Sequence, residues 1–182
     1  MVLSKVQYEG LQDLEGRRHI VVALDLSDNS WRATKYYAQE LSKPGDVVHL
    51  VHVSRCLEPQ VSVQHSYPGA SYTVPELHRF DEKQHSEHIQ GVIKSRFLPC
   101  FEGLGIQHIL HLYFDTDNSP GTAIAAILNR VAEEVKASLM VMAAHNKAYG
   151  LTEFLLGSVA EECTQHSKFP VVVVRNWVNA SA

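Results

Sequence analysis

Apolar residues along this chain fall into two rhythms, short dense runs and stripes of helical spacing, and the two alternate. His19-Ile20-Val21-Val22-Ala23-Leu24 is a β-branched run that reads as a strand buried on both faces. It stops at Asp25, where Ser27, Asp28 and Asn29 offer N-caps for a helix with Thr34, Tyr37, Ala38 and Leu41 on one buried face. Pro44-Gly45-Asp46 is a turn, and residues 47–53 form a second buried strand. Pro59, Pro68 and Gly69 break every period in residues 55–75, which are predicted to form a long loop. A helix follows from Glu76, with Ile89, Ile93 and Phe97 four apart, disturbed by Pro99 and stopped by Gly103 and Gly105.

Residues 106–114 alternate as a third strand. Ser119 before Pro120 predicts an N-cap with proline at the first helical position, ahead of a stripe made by Ile124, Ile127, Leu128, Val131 and Val135. Residues 139–143 are a fourth strand, 158–166 a helix and 171–174 a fifth strand. Strands alternating with helices on long crossovers imply a single doubly wound α/β domain, a five-stranded parallel sheet with helices on both faces. Its expected limits are residues 18–176, with 1–17 as an N-terminal extension and 177–182 as a tail. No internal repeat and no low-complexity segment interrupts it.

Composition narrows the function more than the fold. The chain has 182 residues, 45% hydrophobic and 20% charged, with a net charge of −4, the profile of a soluble domain with a sizeable core. Basic residues are scattered, so no nucleic-acid or membrane-surface partner is expected. No apolar run reaches membrane-spanning length and no signal or transit peptide is evident, which makes the cytoplasm the expected compartment. Cys56, Cys100 and Cys163 match no metal or redox spacing. Eleven histidines invite a metal reading. His85 and His88 are three apart on one predicted helix with His78, but the neighbouring acids read as a solvated face, and a site needs three or four converging ligands. His49 and His52 fall on opposite faces of their strand and cannot chelate together. No metal is therefore expected.

In such sheets a ligand sits outside the carboxyl ends of the strands, where the strand order reverses. The positions to inspect are Asp25, Val53 and the segment from Ala144 to Lys147. No P-loop, dinucleotide fingerprint or nucleophile elbow is present. Gly157-Ser158 stands directly before a helix, and two readings are open. A glycine and a helix N-terminus attract phosphate; equally, Ser158-Val159-Ala160-Glu161 is a capping box that explains Ser158 without a ligand. Asp25 is similarly open, to a ribose or adenine contact or to holding the turn into the first helix. No acid–base pair or activated nucleophile converges, so no enzyme is expected.

Residues 18–175, through the segments 21–27, 45–53, 139–142, 155–159 and 170–174 (Val21-Val22-Ala23-Leu24-Asp25-Leu26-Ser27 at the start and Leu155-Leu156-Gly157-Ser158-Val159 near the end), resemble the universal stress protein family. Val21-Val22-Ala23-Leu24-Asp25-Leu26-Ser27, followed by Ser30 and Ala33, is similar to its opening strand and helix start. Gly45-Asp46-Val47-Val48-His49-Leu50-Val51-His52-Val53 is similar to its second strand, in a form like that of plant and algal members. Leu139-Met140-Val141-Met142, Leu155-Leu156-Gly157-Ser158-Val159 and Pro170-Val171-Val172-Val173-Val174 resemble its C-terminal signature. The resemblance implies the strand order 3-2-1-4-5 and a non-catalytic module, dimeric and acting in stress response through partners; the alternative is a regulatory switch that binds ATP or AMP. Carried over, Asp25 would meet adenosine, Val53 would line the base pocket, and Gly157, Ser158 and Val159 would meet phosphate. Nucleotide-binding members have G-x-x-G, nine residues, then G-[ST]; here Ala144 and Lys147 stand at the first two glycines. Lys147 would either block a phosphate or supply charge to it. Dimerisation is expected through Val171, Val172, Val173 and Val174, four valines on a sheet edge, and partner recognition through the loop at 55–75.

Overall fold

The computed structural model describes residues 2–8, 14, 16–55, 82–115, 120–144, 156–175 and 177. Five parallel strands form its centre: β2 (His19–Leu24), β3 (Val47–Arg55), β4 (Gln107–Asp115), β5 (Leu139–Ala143) and β6 (Val171–Val174). They lie in the order β4-β3-β2-β5-β6, which is the expected 3-2-1-4-5. One strand was not expected. Within the N-terminal segment read as an extension, β1 (Val2–Tyr8) pairs antiparallel with β4, Val2 opposite Phe114 and Tyr8 opposite Ile109, with a break in register between Leu3 and Val6. Backbone pairing along an open edge needs no dense apolar run, so the mixed composition of this segment gave no signal.

The β-branched runs are buried because helices cover both faces. On one side α1 (Asp28–Tyr36) and α2 (Glu82–Val92) set Ala33, Tyr37, Ile89, Ile93 and Phe97 against Ile20, Val22 and Leu50. On the other, α3 (Gly121–Glu134) and α4 (Ser158–His166) set Ala125, Leu128, Val131 and Cys163 against Val21, Val51 and Met140. Adjacent residues of β2 thus serve opposite layers. Each large aliphatic side chain fully buried here contributes about 1.5–3 kcal/mol. Both α1 and α2 end in a π-helical turn, at Tyr37–Leu41 and Ile93–Phe97, the second running on into a 3-10 turn that contains Pro99.

Helix starts match the reading in one case and correct it in two. Ser27 caps α1, its hydroxyl accepting from the Ser30 N–H at 3.2 Å. Pro120 itself is the N-cap of α3, with ψ at 164°, so the helix starts at Gly121, one residue later than expected. Likewise Gly157, not Ser158, is the N-cap of α4. Its φ of 88° is open only to glycine without strain. The Glu161 N–H therefore donates to the Gly157 carbonyl at 2.9 Å, and the Ser158–Glu161 capping box does not form.

Two polar assemblies lock the sheet away from the crevice described below. Asp46, 2% exposed, accepts from Arg18 Nε and Nη2 at 2.8 and 2.6 Å, from the Tyr37 hydroxyl at 2.5 Å and from the Lys43 N–H at 2.9 Å. Burial pushes its carboxyl up, but the Arg18, Tyr37 and Lys43 hydrogen bonds outweigh that and hold it below its ordinary value. The second assembly is a row of imidazoles across three neighbouring strands. His19 Nδ1 lies 2.9 Å from His49 Nε2, and His49 Nδ1 lies 2.9 Å from His111 Nε2. Burial, with the flanking imidazoles adding to it, depresses His49 to about 3. Burial depresses His111 to about 4. His52 faces the other side of β3, as alternation requires.

Candidate functional site

The strand order reverses between the parallel strands β2 and β5, and a crevice of about 540 Å³ opens there at the strand carboxyl ends. Its walls are apolar, with Val53 from β3, Ile124 and Leu128 from α3, Met142 from β5 and Leu156 just before α4. Asp25, Ser54 and Ser158 supply polar groups at its rim, and Gly157 and Val159 line it beside Ser158. A volume in this range suits a nucleotide-sized ligand.

The turn after β2 is held from two directions. One oxygen of the exposed Asp25 carboxylate accepts from the Ser27 N–H at 3.0 Å and from the Ser27 hydroxyl at 2.5 Å. This supports the turn-holding role, and the same side chain still borders the crevice. Leu26 between them has φ of 62°, the left-handed region that a side chain disfavours. Its carbonyl accepts from Arg96 Nη1 at 3.1 Å, and Arg96 also pairs with Asp28. The turn thus rests on the helical layer that carries α2.

Opposite, Gly157 brings the backbone into α4 with its first N–H groups at the crevice. That arrangement suits an anion, because the first turn of a helix leaves N–H groups without internal partners. Gly121, the first residue of α3, packs directly against Ser158, so two helix starts converge on this rim.

Of the residues carried over from the resemblance, the structure brings Asp25, Val53, Gly157, Ser158 and Val159 to one cavity. Ala144 is not there. It is 3% exposed, and its N–H donates to the Val174 carbonyl at 2.9 Å at the end of β5. Lys147 lies outside the described residues, as does the loop expected at 55–75 beyond Arg55, which ends β3.

Three polar side chains at this site were missed. His52, 7% exposed, donates from Nδ1 to the Leu24 carbonyl at 2.8 Å. Its pKa is lowered by burial, against the opposing effects of that hydrogen bond and of Asp25. Ser54 Oγ lies 2.7 Å from His85 Nε2, and the His85 ring leans on Phe114, centroids 6.0 Å apart. For His52 and Ser54 the available signal was the alternation of β3, carried one residue past Val53. No group of three or more His, Cys, Asp or Glu among the described residues is arranged to hold a metal ion.

A parallel sheet in this order with a polar-rimmed crevice at its switch point defines a ligand-binding doubly wound α/β domain. The model of the Universal stress protein family matches residues 16–97 and 120–175, and the chain belongs to that family. Universal stress protein PHOS34 of Arabidopsis thaliana is 27% identical over 172 residues, covering 87% of this chain and 62% of its own length. A universal stress protein from Archaeoglobus fulgidus superposes with a TM-score of 0.53 at 22% identity, over 86% of this chain and 92% of its own. A universal stress protein solved in complex with cAMP superposes at 0.52 with 17% identity, over 87% and 97%. No helix among the described residues is long and apolar enough to cross a membrane.

Proposed function

We propose that this protein is a non-catalytic regulatory module that takes an adenine nucleotide, ATP or AMP, in the crevice. The observation that carries the reading is the convergence of Asp25, Val53 and Gly157-Ser158-Val159 on one cavity of about 540 Å³. In this reading the α4 N-terminus receives phosphate, Asp25 accepts from the ribose hydroxyls, and the apolar walls beside Val53 hold the base. The similar fold solved with cAMP supports an adenine nucleotide as the ligand class. Retention without turnover is consistent with the lining. Among the described residues its ionisable side chains are Asp25 and His52. Asp25 holds Ser27, and His52 is biased to the neutral form and bonded to Leu24. Among the described residues, neither lysine nor arginine lines the cavity to stabilise charge developing on a phosphoryl group.

Calorimetry with AMP and ATP tests this. Binding is expected for the wild type and its loss for Asp25→Ala and Gly157→Val, with circular dichroism unchanged. Ser27→Ala, which removes the hydroxyl's contact with Asp25 and its cap on α1 but no group facing the ligand, is expected to retain binding. Absence of wild-type binding at millimolar nucleotide overturns the ligand, and turnover above the Asp25→Ala level overturns the non-catalytic role.

The module works as a dimer through β6 in this reading. The sheet order leaves β6 at the edge, and Val171, Val172 and Val173 remain partly exposed along it. An apolar edge of this kind is stabilised by pairing with a second chain. Stress response through partner proteins completes the proposal, with the segment between β3 and α2 as the recognition element because it joins two elements that meet at the crevice rim through Ser54 and His85.

A further inference from the structure

The strand order sets the orientation of any nucleotide in the crevice. The phosphate-attracting start of α4 borders the β5 side, and β3 lies on the far side of β2. Two inter-strand steps separate β3 from β5, about 10 Å, roughly the reach from a phosphate to the far edge of its base. A nucleotide with its phosphate at Gly157 therefore places its base edge at the end of β3. Two polar side chains at the end of β3 line the cavity, His52, whose Nδ1 is committed to the Leu24 carbonyl, and Ser54, which is held by His85.

Ser54 is fixed in place. It is 8% exposed, its hydroxyl oxygen lies 2.7 Å from His85 Nε2, and Phe114, its register partner on β4, supports the imidazole ring. A serine hydroxyl has one proton to donate and two lone pairs. When it donates to an imidazole nitrogen, it presents only acceptor character to the cavity. We propose that His85 carries its proton on Nδ1, so that Ser54 donates to Nε2, and that Ser54 is thereby the specificity-determining residue of the crevice, selecting purines that bear a 6-amino group. The amino group supplies the donor that a committed Ser54 oxygen lacks, whereas a 6-oxo base sets an acceptor against an acceptor. His85 acts as a positioning residue, since it fixes the direction of the Ser54 proton without needing to touch the base.

This inference rests on the nucleotide reading, and the test separates the two. AMP, IMP and purine riboside monophosphate, which lacks any 6-substituent, are titrated by calorimetry into wild type, Ser54→Ala, Ser54→Thr and His85→Ala. A buried hydrogen bond to the base is expected to favour AMP about tenfold over the unsubstituted purine, and by more over IMP. Ser54→Ala and His85→Ala are expected to reduce that preference to near unity while still binding the unsubstituted purine, and Ser54→Thr to keep it. Wild-type binding with equal affinity for all three, a preference for IMP, or a preference that survives Ser54→Ala overturns the role of Ser54 and leaves the nucleotide reading standing. Wild type that binds none of the three overturns the nucleotide reading itself. Retention of binding to the unsubstituted purine shows that each variant is folded.

Discussion

Gly121 and Ser158, the first residues of α3 and α4, meet so closely that a β-carbon on Gly121 would lie 2.9 Å from the Ser158 β-carbon and overlap its hydroxyl. The hydroxyl can rotate away, but the Ser158 β-carbon is fixed by the backbone. Gly121→Ala is therefore expected to destabilise the fold by about 1–3 kcal/mol, the usual range for overpacking. Urea unfolding measures this as a lower midpoint at unchanged slope. Ser158→Gly removes the obstructing carbon, so the double variant is expected to recover part of the loss, a coupling that Ser158→Ala does not reproduce.

The imidazole row makes stability sensitive to mild acid. His49 and His111 are depressed in the folded protein to about 3 and about 4, against 6.5 ordinarily. Above 6.5 neither the folded nor the unfolded chain binds these protons, so stability is flat. Between 6.5 and about 4 the unfolded chain takes up protons that the folded one refuses, and stability falls as pH falls. From pH 7 to 5 the loss is on the order of 2 kcal/mol for each of the two residues. His52, shifted the same way, adds to it. Urea midpoints across this range should show the slope, and His49→Leu with His111→Leu should flatten most of it.

Asp46 acts in a lower pH window. Its carboxyl is held below its ordinary 3.8, so its contribution is present above that value and disappears as pH falls through the folded value. Removing the carboxylate leaves Arg18 without its partner, and Arg18 is partly exposed, so Asp46→Asn is expected to cost roughly 2–3 kcal/mol at pH 7, below the cost at a fully buried pair. Tyr37→Phe deletes one hydrogen bond to a charged group and is expected to cost about 1.5 kcal/mol. Both differences from wild type should shrink when unfolding is measured at pH 3.

Pairing through β6 is tested by sedimentation. The wild type is expected to run as a dimer at micromolar concentration, with β6 amides protected from hydrogen exchange. Val172→Lys, which puts a charge into a strand otherwise made of valines, should shift it towards monomer. A wild-type monomer would rule out the proposed assembly.

The sheet was legible because parallel strands covered on both faces must be apolar at successive positions, and Ile20, Val21 and Val22 show this in three consecutive residues. The cap of α4 was misjudged because Ser158 to Glu161 fits the spacing of a capping box, while the left-handed φ of Gly157 has no sequence pattern of its own. Half of the crevice could be read, since Asp25 and Gly157 sit where a strand ends and a helix begins. Ser54 and His85 could not, because they are 31 residues apart and their contact depends on how α2 returns to the sheet. The same holds for His19, His49 and His111. Alternation assigns each to a face, but only the register of three strands brings their rings to hydrogen-bond distance.

That row of rings carries a constraint of its own. A neutral imidazole has one ring proton and one ring lone pair. If His49 holds its proton on Nδ1, it must donate to His111 and accept from His19, which places the proton on Nδ1 in both neighbours. If His49 holds it on Nε2, the other two follow to Nε2. While all three are neutral the row has only two tautomeric states, each shared by every member. Moving one proton obliges the other two to move, so nitrogen-15 spectra of the three side chains should report a single tautomer common to the set.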